Sequence, residues 1–127
     1  MVMIEPVHTD KAPQAVGPYS QAVKAGNFLF ISGQLPLDPA SGELIKGDAA
    51  QQARQCMKNI MAILKEAEMN ADNLVKVTIY LTDLNDFNLV NEIYASFYKD
   101  QYPARACIEV SRLPKDANVE IEAIGCK

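Results

Sequence analysis

The sequence predicts an α+β fold in which one sheet carries two helices on a single face. Two observations lead there. Apolar residues recur at helical spacing in two segments and alternate with polar ones at period two in three others, so amphipathic helices and half-buried strands share one chain. Several strands accompany the two helices, an order that gives a layered arrangement with both helices on one sheet face. The 127 residues form one domain, 1–127, because a second core would leave neither half viable.

The elements follow in order. Met1 to Thr9 fits a short edge strand, since Pro6 cannot donate in a central ladder. A strand starts at Ser20 to Lys24, Gly26-Asn27 marks a hairpin turn, and the apolar run Phe28-Leu29-Phe30-Ile31 reads as a buried strand ending at Ser32-Gly33-Gln34. Pro36, Pro39, Ser41-Gly42 and Gly47 make a loop. Asp48 then stands at an N-cap position with Gln51 three residues on, and Ala53, Cys56, Met57, Ile60, Met61, Leu64 and Ala67 give a helix over Ala49 to Glu68. Val75, Val77, Ile79 and Leu81 form the apolar side of the next strand. A second helix over Asp86 to Lys99 carries Phe87, Val90, Tyr94, Phe97 and Tyr98. Two strands close the chain, around Ala106, Ile108, Val110 and around Val119, Ile121, Ala123.

Composition narrows the function. Apolar residues are 49%, charged residues 22% and the net charge −4. The Lys and Arg residues are scattered, so the basic stripe of a nucleic-acid binder is missing. Cys56, Cys107 and Cys126 are widely spaced, and His8 is the single histidine, so neither a disulfide framework nor a zinc site can be read from them. No metal or organic cofactor is expected. The chain lacks an apolar signal segment and a run near ~18 apolar residues, so the expectation is a cytoplasmic protein with reduced thiols and no membrane partner.

If Ala106, Ile108 and Val110 pack under the helices with Val119, Ile121 and Ala123, the opposite sheet face holds Arg105, Cys107, Glu109, Glu120 and Glu122 beside Lys76, Thr78 and Tyr80. Such a face is solvated, covered by an oligomer partner, or a site. Arg105 presents a planar fork matched to a carboxylate. The acids could orient or deprotonate water. Cys107 could act as a nucleophile only with a base nearby, and Ser32 lacks a histidine. Ser32-Gly33 is either a plain strand end or a place where a ligand approaches bare backbone. Asn91, at the edge of the second helix's stripe, is either partly exposed or satisfied locally, or a buried amide held for a specific hydrogen bond. Tyr19 reads as a packing aromatic with a wet hydroxyl.

Six ordered segments then resemble the Rid (YjgF) family: Gly17-Pro18-Tyr19-Ser20-Gln21-Ala22, Phe30-Ile31-Ser32-Gly33-Gln34, Asp83-Leu84-Asn85-Asp86-Phe87, Tyr102-Pro103-Ala104-Arg105-Ala106-Cys107-Ile108-Glu109-Val110, Leu113-Pro114-Lys115-Asp116 and Val119-Glu120-Ile121-Glu122-Ala123-Ile124. The likeness spans about Ala15 to Ile124 and is similar to the archetypal RidA branch, the 2-iminobutanoate/2-iminopropanoate deaminases. It implies a mixed sheet in a chorismate-mutase-like fold. It also implies a homotrimer with a central barrel of sheets and sites between subunits. The implied reaction is hydrolysis of reactive enamines and imines to 2-oxo acids and ammonia, with small 2-imino and 2-oxo acids as ligands.

By the same resemblance Arg105 matches the carboxylate clamp and Glu120 the acid that holds the hydrolytic water. Ser32, Gly33, Tyr19 and Asn91 match pocket residues. Cys107 matches a position whose backbone carbonyl meets the substrate nitrogen. Competing expectations are an RNA-directed ribonuclease or translation inhibitor, against which the acidic charge weighs, and a trimer that binds small metabolites without turnover.

Overall fold

The computed structural model describes residues 1–127. Strands β1 (Ile4–Val7), β2 (Ala22–Ala25), β3 (Phe28–Gln34), β4 (Leu74–Leu81), β5 (Ala104–Glu109) and β6 (Val119–Cys126) accompany helices α1 (Ala49–Glu66) and α2 (Phe87–Ala95). The sheet order is β1-β2-β3-β6-β4-β5. All pairings are antiparallel except β4 with β5, which α2 connects as a parallel crossover. The expected α+β architecture with one mixed sheet is present.

Local chemistry explains the boundaries. β1 lies at the sheet edge, where Pro6 opposite Val23 withholds no donor the ladder needs. The β2–β3 connection is two residues long, and Gly26 takes φ +60°, the left-handed value a tight hairpin asks of its first central residue. At the start of α1, Gln51 N donates to Asp48 Oδ1 and Asp48 N donates to Gln51 Oε1, both at 2.9 Å, a reciprocal capping box. The helix stops at Glu66, slightly short of the expected end. Glu68 adopts φ +60° and Met69 N donates to Leu64 O, closing the carbonyl end.

The core lies between the sheet and the helices. Leu29, Ile31, Val77, Ile79, Val119 and Ile121 meet Met57, Ile60, Ile63 and Leu64 of α1 and Val90 of α2, all buried. Each such aliphatic side chain contributes about 1.5–3 kcal/mol by leaving water. No helix is long and apolar enough to cross a membrane.

Four expectations need correction. Phe28 and Phe30 are not buried but 45% and 46% exposed, because β3 alternates and only Leu29 and Ile31 turn inward. Val75 points outward and Leu74 inward, because a register shift between Leu74 and Lys76 inserts a bulge in β4. Helix α2 ends at Ala95, where Phe97 N and Tyr98 N donate to Tyr94 O and Ala95 O, three residues back, so the coil tightens into a turn.

The fourth correction matters most. In the parallel register Arg105 lies opposite Val77, Cys107 opposite Ile79 and Glu109 opposite Leu81. Residues directly opposite share a face. Arg105 and Cys107 therefore stand on the helix side, while Ala106 and Ile108 share the outer face with Thr78, Tyr80, Glu122 and Glu120. The expected single surface holding both Arg105 and Glu120 does not exist within one chain.

Buried amides fix the loops. Gln21, 2% exposed, receives Thr9 N at 2.7 Å and donates to Thr9 O and Pro13 O at 3.0 and 2.8 Å. Asn59 donates to Leu35 O and Leu37 O. Replacing Gln21 with Leu strands the Thr9 amide and the three carbonyls of Thr9, Ala12 and Pro13 that Gln21 serves. Chemical denaturation should show a loss of about 2–3 kcal/mol, the cost of unpaired buried polar groups.

Candidate functional site

The residues singled out in the sequence fall into two groups. The first lines a cleft of about 510 Å³ on the outer side, where Tyr19, Ser32, Gly33 and Glu120 meet Glu122 and Lys115. The cleft starts from a bulge: β3 loses register with β6 between Ile31 and Gln34, which throws Ser32 and Gly33 out of the ladder. Ser32 N donates to Gln21 O at 2.9 Å, and Ser32 Oγ donates to Ser20 O at 2.6 Å. The hydroxyl proton is thus committed to the backbone, leaving its lone pairs for a ligand.

The lack of a side chain at Gly33 leaves room for the end of Glu120. A Cβ there would stand 2.9 Å from Glu120 Cδ and 3.0 Å from Oε2. The Glu120 carboxyl therefore rests on bare backbone. Burial raises its pKa above the ordinary 4.5, and the charge of Glu122 on the same strand face raises it further. Tyr80, opposite Glu120 on β4, is raised by burial and by both acids, so it stays a neutral phenol.

The second group lines a cleft of about 410 Å³ beside α2, formed by Asn91, Tyr94, Ala95, Tyr102, Pro103 and Arg105. Phe87, Asn91 and Tyr94 lie four and three residues apart, so they share one edge of α2. Arg105 Nη1 donates to Asn91 Oδ1 at 2.8 Å. The guanidinium sits 5.5 Å from the Phe87 ring centre and 5.0 Å from that of Tyr94. Each ring adds about 0.5–1 kcal/mol of attraction at a partly exposed site. Arg105 has no acidic partner in the chain, whose ion pairs are His8 with Asp10 and Arg112 with Asp116.

Cys107 accompanies Arg105 on the same strand face, half-buried. Its pKa is raised by burial, with Arg105 pulling the other way, so the thiol stays protonated near neutrality and is no activated nucleophile. Asn91 is partly exposed, not buried, and its amide oxygen accepts from Arg105. The sequence reading missed the rings flanking Arg105, although the four-and-three spacing on α2 signals them. It also gave Gln21 and Lys115 no role.

The chain is thus a small α+β domain with an arginine fixed in orientation without a carboxylate partner, and a carboxyl raised above its usual range in a separate cleft. The chain belongs to the Rid (YjgF) family, since the family model described as Endoribonuclease L-PSP matches residues 9–126. It is 54% identical over 125 residues to a RutC family protein of Pyrococcus horikoshii, covering 98% of this chain and 99% of that one. It is 50% identical over 119 residues to the human 2-iminobutanoate/2-iminopropanoate deaminase, covering 94% and 87%. Its fold matches the crystal structure of RidA from the Antarctic bacterium Psychrobacter sp. PAMC 21119, with TM-score 0.93, 47% identity, and 97% and 99% of the two chains covered.

The Glu120 environment gives a signed expectation. Carboxyl carbon NMR should show Glu120 titrating above 4.5. Glu122→Gln removes the neighbouring charge but keeps the burial, so the Glu120 titration should move down while staying above that value. Any process needing ionised Glu120 then fails as pH falls through the raised value, and fails at lower pH in the variant. An unmoved titration in Glu122→Gln would show that the second charge is not felt.

Proposed function

We propose that this protein hydrolyses reactive 2-imino acids, and the enamines that tautomerise to them, to 2-oxo acids and ammonia. The observation that carries this reading is Arg105. One of its donors is spent on Asn91, its plane is set by two rings, and its other donors have no anionic partner. A guanidinium so held fits a carboxylate bidentately. The human relative's name adds the reaction class.

The site is composite in this reading. Arg105, Asn91 and Cys107 stand on one side of the sheet and Tyr19, Ser32, Gly33 and Glu120 on the other, so a complete site needs two subunits. The outer face also presents Phe28, Phe30 and Ile108 at 45%, 46% and 44% exposure, an apolar set that a partner sheet would cover. Three copies closing their sheets into a barrel bring the Arg105 half-site of one against the Glu120 half-site of the next.

The chemistry needs little beyond positioning. Arg105 holds the substrate carboxylate, and the backbone carbonyl of Cys107 receives the imine N–H. Glu120, ionised, takes a proton from a water resting near Gly33. The water oxygen bonds to the imine carbon as the C=N electron pair moves to nitrogen, and Glu120 passes the water's proton to that nitrogen, giving a neutral carbinolamine. Glu120 then takes the carbinolamine's hydroxyl proton and delivers it to the amine. The oxygen forms C=O as the C–N bond breaks and ammonia leaves. Fixing water and electrophile together can supply several kcal/mol of rate. No metal or organic cofactor is invoked.

The family model's description names an endoribonuclease. The cleft of about 510 Å³ sets Glu120 and Glu122 against Lys115 alone, a balance that repels a phosphate backbone. A binder without turnover would keep the carboxylate anchor and gain nothing from a raised carboxyl beside it.

The test couples threonine and a pyridoxal-phosphate dehydratase to ammonia release. Wild type should accelerate release, and Arg105→Ala should lower kcat/KM about a hundredfold, the loss of two charge-assisted hydrogen bonds. Arg105→Lys should recover little of it, because an ammonium lacks the fork. No acceleration by wild type, or an undiminished Arg105→Ala, overturns the reading.

Subunit sharing has its own test. Arg105→Ala and Glu120→Gln proteins, each inactive, are unfolded together and refolded. Random closed assemblies should regain about a quarter of wild-type activity, because a quarter of interfaces then pair an intact Arg105 with an intact Glu120. Separately refolded controls should stay inactive. A mixture as inactive as the controls would place the whole site in one chain.

A further inference from the structure

The cleft that holds Glu120 continues past it. A second cleft of about 260 Å³ opens from the same wall, and the two share Pro13, Gln14, Val16, Leu37 and Lys115. Beyond Lys115 the outer compartment runs to the turn at Pro39, Ala40, Ser41 and Gly42. Charge is divided between them. Glu120 and Glu122 line only the inner compartment, and Lys115 is the single charged residue lining the outer one.

Lys115 is held at the junction by its backbone. It takes φ 59° and ψ 22°, and Asp116 follows with φ 57°. Side chains bearing a Cβ seldom adopt this conformation, and two in succession persist only where the surroundings over-determine them. Asp116 does not neutralise its neighbour, because its carboxylate receives Arg112 Nη2 at 3.3 Å. The Lys115 ammonium makes no ion pair within the chain. A cation without a partner, at the mouth of a compartment free of acids, is complementary to an anion reaching that compartment.

We propose that Lys115 is a specificity-determining residue that receives the side-chain carboxylate of a dicarboxylic 2-imino acid. This rests on the reading that Arg105 takes the α-carboxylate and Glu120 serves the imine carbon. Pro13, Val16, Leu37 and Pro39 cover the tail's methylenes, and Gln14 and Ser41 are the polar groups beside its end. A neutral tail of equal length leaves the ammonium without a partner, and a cationic tail is repelled by it.

The test compares two five-carbon 2-oxo acids that differ only in the terminal carboxylate, 2-oxoglutarate and 2-oxopentanoate. Their binding to the whole protein is measured by titration calorimetry. Wild type should favour the dicarboxylate by about tenfold or more, the worth of one charge-assisted hydrogen bond. Lys115→Asn removes the charge with a residue that tolerates left-handed backbone, and should erase that preference. Lys115→Arg should keep it. Arg105→Ala should weaken both ligands while leaving their ratio near the wild-type value.

An unchanged ratio in Lys115→Asn, or a parallel loss of both ligands, overturns the proposal. Turnover separates the two claims. Imines made in situ by an amino-acid oxidase from glutamate and from norvaline are presented to wild type. If neither is hydrolysed faster but the binding ratio still depends on Lys115, the hydrolase reading fails and the anion subsite stands. If both are hydrolysed and the ratio ignores Lys115, only the subsite fails.

Discussion

The parallel pairing of β4 with β5 is the constraint on which the candidate site depends. It sets Arg105 opposite Val77 and Cys107 opposite Ile79, so a cation stands on the face that β4 otherwise devotes to the core. Antiparallel β6, on the other side of β4, sets Glu120 opposite Tyr80 on the reverse face. Period two does the rest: no side-chain rotation carries a residue through a sheet. The split of the candidate residues is therefore a property of register and not of loop placement.

Each half is then prepared by its neighbours. Arg105 would be expensive on the helix side if α2 covered β5 with aliphatic residues. Instead α2 presents Asn91 and two aromatic faces, which meet a guanidinium's N–H groups and its flat surface without neutralising it. Glu120 is treated in the opposite way. Burial and then the second carboxylate raise its pKa above the ordinary carboxyl value, and its carboxyl rests against the bare Gly33 backbone. Buried amides hold the surrounding loops: Gln21 ties the segment near Thr9 and Pro13, and Gln52 accepts from Asn118 N at 2.7 Å ahead of β6.

Much of the fold is legible in local sequence because its signals are local. Asp48 and Gln51 announce the start of α1, and Gly26-Asn27 announces the hairpin. What fails to show is whatever depends on a partner strand. Alternation along Arg105 to Val110 says that two faces exist but not which one the helices take. Only pairing with β4 decides that, and it sends Ile108 outward against the ordinary preference. Val75 is displaced by a bulge that a run of alternating residues cannot reveal. At the site, the residues alone support Arg105 as an anion anchor and Glu120 among the acids. Ser32-Gly33, Asn91, Cys107 and Tyr19 stand out there only with bland alternatives left open, and the resemblance gave them pocket roles. Lys115 stays hidden because its interest lies in backbone conformation and in a cleft formed by distant loops.

The contact between Gly33 and Glu120 carries a consequence for how such a pocket can diversify. With a Cβ at position 33 falling within 3.0 Å of the carboxyl, that wall admits no side chain unless the acid itself moves. A substitution there displaces the end of the Glu120 side chain before it can meet a substrate. Variation is left to the opposite rim, where Gln14, Val16 and Lys115 sit on loops and are exposed. Chemistry and selectivity are thereby carried by different parts of one cleft, the first coupled to the Gly33–Glu120 contact and the second open to change.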